Sequence, residues 1–303
     1  MATYNTVLMR RQPGGNTLAI VDESAGTGAH YYVHSGTGAA SNDGLSPDTP
    51  LATIQQAIDK CVASQGDKVW VMPGHAETIS AAAGIDANEA GISIIGIGNG
   101  SNRPTVTFSA VASTFAVTAA NVRLNNIRVT ATAATTKLFH VTAAGCTIDK
   151  VDYVEGSAIP LQFLLTSAAS DQLTVQNCYH RAATTGASAQ LWIELVGCDD
   201  ARILDNVFHL VLQNGATCAT INASTAVVNC QIGRNIILQT GGTTQVSAIL
   251  LAASSTGFVH DNRVAAAVTT LAGIVALASA YGCENYTLNT ANKSGILDPV
   301  ADS

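Results

Sequence analysis

A short phrase recurs through the second half of this chain. It reads Leu124-Asn-Asn-Ile-Arg-Val, Val175-Gln-Asn-Cys-Tyr and Leu204-Asp-Asn-Val-Phe. It returns as Gly233-Arg-Asn-Ile-Ile, His260-Asp-Asn-Arg-Val and Cys283-Glu-Asn-Tyr-Thr, with a weaker copy at Ile148-Asp-Lys-Val-Asp. The anchors are Asn126, Lys150, Asn177, Asn206, Asn235, Asn262 and Asn285, and successive differences between these numbers are 24, 27, 29, 29, 27 and 23. A unit repeating at this period builds a solenoid, in which each coil touches only its neighbours.

The content of each repeat says which kind. An apolar segment lies upstream of each anchor, as in Phe115–Val117, Leu138–Val141, Phe163–Leu165, Trp192–Val196, Ala219–Ile221, Ala248–Leu251 and Gly273–Leu277. A small-residue turn follows, such as Ala143–Gly145 or Ala252–Ser255, then a second short apolar strand, the anchor and a third strand. Such a repeat holds three strands of about five residues and leaves no room for a helix. Asn suits the anchor because it tolerates left-handed backbone, and stacked Asn amides can bond coil to coil. Parallel strands lie about 4.8 Å apart, so eight or nine coils predict a rod roughly 40 Å long.

Ahead of the repeats, residues 1–29 form an N-terminal arm with two apolar pieces either side of Pro13-Gly14-Gly15. It either packs on the domain or attaches to a neighbouring subunit. His30–His34 predicts a strand, and the loop after it, through Pro50, carries many turn signals. Residues 50–63 predict a helix, with Thr49 as N-cap, Pro50 at its first position and Ile54, Ala57, Ile58, Cys61 and Val62 on one stripe. Its expected role is to cap the open end of the solenoid. Asp67 to Ile79 opens the first coil. The β-helical domain is expected over 30–290, with a C-terminal tail over 291–303 as a strap or end cap.

The succession NDGLSPDTPLATIQQAID, GDKVWVMPGHAETI and GISIIGIGNG, followed by Asn-punctuated coils, resembles the right-handed parallel β-helix proteins of the pectate-lyase-like superfamily. The resemblance spans roughly residues 30–290. It implies an all-β, single-stranded right-handed parallel β-helix solenoid with a dry core and stacks of like residues at one turn.

Composition excludes several partners. Only 12% of residues are charged and the net charge is −7, so there is no basic footprint for nucleic acid. No apolar run is long enough for a membrane span, and Met1–Arg11 lacks the apolar core of a secretory signal. Seven cysteines without CxxC spacing predict reduced thiols of a cytoplasmically made protein. Those inside the repeats, Cys283 included, are expected to pack in the core.

Catalytic candidates are few. The residues before the anchors line up as Asn125, Asp149, Gln176, Asp205, Arg234, Asp261 and Glu284. On that alignment Asp261 and Glu284 stand one coil apart, about 5 Å, near a retaining-glycosidase separation. Asp149 and Asp205 stand two coils apart, about 10 Å, at the long edge of the inverting range. The plainer account is polar decoration of a solvated turn. Neither the set Asp199, Asp200 and Arg202 nor the set Asp149, Lys150 and Asp152 reproduces a lyase's calcium cluster, so the resemblance carries over no catalytic residue. His140, His180, His209 and His260 have no ligand spacing and are expected at surfaces or turns. No metal or cofactor is expected. Aromatics are 5% of the chain, which disfavours a long sugar-stacking groove, although Tyr153, Tyr179, Phe208 and Tyr286 could make a small one.

The expected function is structural: a β-helical decoration, head or tail-spike-like component of a tailed-bacteriophage virion. It would assemble as a homotrimer and contact other virion proteins such as the capsid, or a host surface glycan. The alternatives are a polysaccharide lyase or glycosidase acting on a host glycan, and a passive glycan-binding module.

Overall fold

The computed structural model describes residues 8–11, 17–20, 28–182, 191–212, 218–241, 247–266, 274–288 and 296–298. Three sheets run the length of the chain. Sheet I begins at His30–Val33 and Lys68–Val71 and ends at Tyr281–Cys283. Sheet II runs from Ala76–Ile79 to Asn285–Leu288, and sheet III from Ile85–Ala87 to Val275–Ala276. The chain visits sheets III, I and II in turn, and successive passes pair in parallel. The protein is thus an all-β parallel solenoid. The eight strands of sheet III mark seven full turns, fewer than the eight or nine coils expected.

Alternation makes the strands. Lys68–Val71, Ser93–Gly96 and Thr105–Phe108 each bury every second residue. In parallel register the inward positions become stacks. Val69, Ile94, Leu124, Ile148, Val175, Ile203, Ile232 and Val259 follow one another along sheet I, all buried. Each such aliphatic side chain contributes roughly 2 kcal/mol of burial. The large side chains collect midway. Phe163, Trp192, Tyr153, His180 and Phe208 form one ring cluster, with Tyr153 and Trp192 centroids 4.9 Å apart.

The helix is a correction. It covers only Ile54–Ile58, its N-cap is Thr53 and not Thr49, and Pro50 lies outside it. Thr53 and Gln56 form a reciprocal capping box, a better start than the upstream Thr-Pro pair. About 8 Å long, it touches the first two strands of sheet I, His30–Val33 and Lys68–Val71. It packs beside the first strand of sheet III, where Gln55 Oε1 accepts the Asp86 N–H at 2.6 Å.

The two apolar pieces of the arm, Leu8–Arg11 and Thr17–Ile20, pair as an antiparallel hairpin. In the tail, Ile296–Asp298 folds back antiparallel on Asn285–Leu288 and lies along the last strand of sheet II.

All seven cysteines are free thiols. Six are buried, but Cys283 is exposed, contrary to the core position expected of it. It occupies the outward position after His260 in sheet I, so its side chain leaves the core. His180 is a second correction: it is fully buried, not at a surface or turn, because it follows Tyr153 at an inward position of sheet II.

Candidate functional site

The strand register divides the recurring phrase into two columns. Asn125, Asp149, Gln176, Leu204, Gly233, His260 and Cys283 end the successive strands of sheet I. The next position is occupied by Asn126, Lys150, Asn177, Asp205, Arg234, Asp261 and Glu284, all at φ between 54° and 59°. One residue further come Ile127, Val151, Cys178, Asn206, Asn235, Asn262 and Asn285, all buried. The apparent anchor therefore shifts by one residue between Asn177 and Asn206. Asn126, half-buried, and Asn177, exposed, stand at the left-handed turn, and later coils have Asn in the buried column. The first three coils that carry the phrase have Ile127, Val151 and Cys178 at the buried position.

This corrects the acidic column. Asp149 belongs to the strand-end column and Asp205 to the left-handed one, so they are not the two-coil pair expected. Asp261 and Glu284 do share a column in adjacent coils.

Asp149, Asp205 and Asp261 are engaged with basic neighbours, and Glu284 adjoins Asp261. Asp149 is buried, and its Oδ2 accepts from Arg123 Nη2 at 3.1 Å and Asn125 Nδ2 at 2.8 Å. Its Oδ1 accepts from Asn177 Nδ2 at 3.0 Å. Asp205 forms a two-pronged pair with Arg234, Nε to Oδ1 and Nη2 to Oδ2, both 2.7 Å. That bonding holds its carboxyl below the usual range. Asp261 lies 2.7 Å from His260 Nδ1, and this contact, aided by Glu284, holds its carboxyl low. Asp152 meets Arg128 at 3.2 Å and Arg103 at 3.4 Å.

A second turn column, between sheets III and I, has no obvious sequence signature. Ser64, Gly91, Asn121, Gly145, Gln172, Asp200 and Asn229 all have positive φ. Its only signal is small or polar residues at the coil period. It accounts for Asp199 and Asp200. Asp199 Oδ1 accepts the Val228 N–H at 2.8 Å, and Asp200 Oδ1 accepts Asn229 Nδ2 at 2.6 Å. A shallow cavity of about 310 Å³ lies beside Gln172, Asp200 and Arg202. Among the described residues, no three His, Cys, Asp or Glu side chains converge as a metal site.

Sheet III supplies the larger open groove, about 410 Å³, bordered by Val111, Thr114, Thr136, Lys137 and His140. Burial, reinforced by Lys137, lowers the His140 pKa. Two coils further along the same outward column stands Glu194, hydrogen-bonded to Gln162. Lys137 and His140 share one strand, but Glu194 comes from another coil, so sequence spacing does not relate it to them.

The aromatic candidates separate into two pairs. Tyr153 and Phe208 are core residues, whereas Tyr179 and Tyr286 are exposed on sheet II. His209 sits beside Tyr179, ring centroids 6.2 Å apart.

No protein-family profile matches the chain, and no curated protein does. Among solved structures, a rhamnogalacturonan lyase aligns over 85% of this chain and 87% of its own, at 16% identity and a TM-score of 0.49. The GH136 lacto-N-biosidase from Eubacterium ramulus aligns, as its selenomethionine derivative, over 85% of this chain and 67% of its own, at 11% identity and a TM-score of 0.39. Its native form gives 10% identity and a TM-score of 0.36.

Proposed function

We propose that this chain is a structural component of a bacteriophage particle, a β-helical decoration or spike-like rod that stabilises the virion or makes its surface contacts. It would work as a homotrimer in contact with other virion proteins. The observation that supports a scaffold is the engagement of the turn acids. Asp149, Asp205 and Asp261 each have a basic partner in the fold, Arg123, Arg234 and His260. Carboxylates tied in this way fix the register between coils.

Mass spectrometry of purified particles of the phage that encodes the chain tests this reading. The chain present at a fixed copy number supports it; its absence from the particle rejects it.

One observation favours the polysaccharide-cleaving alternative, the groove beside Lys137 and His140. An imidazole held neutral by burial is suited to take a proton. Release of new reducing ends or unsaturated uronides from a host polysaccharide, abolished by His140→Ala, would establish it. Release that survives His140→Ala would remove this site.

A further inference from the structure

The exposed large apolar side chains are unevenly placed. Tyr179, Ile236, Leu238 and Tyr286 share the outer face of sheet II, and Phe258 and Tyr281 share that of sheet I. Phe258 and Tyr281 already touch each other, ring centroids 5.7 Å apart, with Tyr281 72% exposed. Monomers seldom leave two such patches open to water.

Their relative height is informative. In the coils that carry the recurring phrase, each strand of sheet I leads through a turn of one or two residues into the strand of sheet II of the same coil. Gly257–His260 precedes Arg263–Ala266, and Tyr281–Cys283 precedes Asn285–Leu288. The two patches therefore overlap at the same level of the rod, on faces separated by the left-handed turn. An interface built on a two-fold axis uses one patch twice. A closed ring uses two different patches at one level, one meeting the other on the next copy.

Charge points to the same partner. On the sheet II face, from Tyr179 onward, the described charged residues are Arg181 and Arg263, with His209 between them. The ridge beside sheet I carries the exposed acids Asp261 and Glu284 at the level of Arg263 and Tyr286, one coil beyond Arg234, whose charge is paired with Asp205. In parallel copies the cationic, apolar face of one molecule would meet the acidic, aromatic ridge of its neighbour.

We infer that the outer face of sheet II docks against the sheet I face and acidic ridge of a second, parallel copy, closing a ring. This deepens the trimer reading above and rests on it for the number of copies. It needs nothing from the virion assignment.

Native mass spectrometry and light scattering on the full chain test it, with Ile236→Asp and Phe258→Asp as single-face variants. The wild type should be trimeric. Each variant alone should be monomeric, with a wild-type thermal transition showing that the coil is intact. Mixed together, the two variants should form a one-to-one dimer, since each retains the face the other lacks. A monomeric wild type, variants that still assemble, or a mixture that stays monomeric would overturn the inference. Absence from phage particles would reject the virion role and leave this result standing.

Discussion

The carboxamide oxygen of Asn235 accepts two hydrogen bonds from Asn206, one from its backbone N–H at 3.0 Å and one from its Nδ2 at 3.0 Å. Asn262 serves Asn235 in the same way at 3.1 and 2.9 Å, and Asn285 serves Asn262 at 3.2 and 2.9 Å. The second Nδ2 hydrogen of each goes to a strand carbonyl, Val175, Ile203, Ile232 or Val259. Four buried amides are thereby satisfied in an apolar interior, where unpaired ones would be costly.

Removing an inner member should be expensive. Asn235→Ala leaves the N–H and Nδ2 of Asn206 without their acceptor. A loss of roughly 3 kcal/mol is expected, the sum of lost bonds and desolvated donors. Urea unfolding would show it as a lower midpoint. Asn177→Gly, at the exposed left-handed turn, should change stability far less, because glycine adopts positive φ freely and the loss is confined to one bond to Asp149.

The ladder should accept another rung. Cys178 occupies the next buried position, its N–H already on Asn206 Oδ1 at 2.9 Å. Cys178→Asn places an amide where Asn206 Oδ1 and the Ile148 carbonyl can accept it. The expected melting temperature is equal to or above wild type, whereas Cys178→Leu should lower it by overpacking.

His180 predicts an acid limit. Burial lowers its pKa to about 3 in the folded protein, against about 6.5 unfolded. The unfolded chain thus binds the extra proton between these values. Stability is complete above the unfolded pKa and falls as pH drops from about 6.5 toward 3, by an amount on the order of 5 kcal/mol. Trp192 Nε1 donates to His180 Nδ1 at 2.7 Å, which fixes the neutral tautomer. His180→Phe should remove that part of the pH dependence while lowering neutral stability, since the indole N–H loses its acceptor. Denaturant titrations at pH 7 and pH 4.5 would measure both.

Thiol titration separates one cysteine from six. Cys283 is exposed, whereas burial pushes the Cys61, Cys178 and Cys198 thiols up to about 12 and Cys230 to about 11. A disulfide reagent should find one fast site in the native protein and none in Cys283→Ser, with the remaining thiols reacting only on unfolding.

The solenoid was legible because its period recurs in the coils from Asn126 onward, and seven of the eight sheet III strands because each contains an apolar run; Ile85–Ala87, with Asp86 at its centre, has none. The exact phase of the turn was not. Asn126 and Asn177 favour left-handed backbone, Asn206 and Asn235 favour buried bonding, and both produce an Asn near the same place in a repeat. Only strand register separates them, and coil lengths vary too much to count it. Lys150, Arg234 and Glu284 in the left-handed column hide it further, since a turn enforced by both flanking strands tolerates residues that would not choose it. The helix was misplaced because Thr49-Pro50 and Thr53-Ile-Gln-Gln56 both offer a start. The groove beside Lys137 and His140 needed the fold, because other wall residues, Val111 and Thr114, come from the preceding coil.

The recurring phrase builds the rod. Urea unfolding of Asn235→Ala beside the double variant Asp261→Ala/Glu284→Ala tests it most directly. The account predicts a clear loss of stability in the first, and in the second a midpoint within about 1 kcal/mol of wild type, as expected for exposed charges. An unchanged midpoint for Asn235→Ala, or a collapse in the double variant, would contradict it.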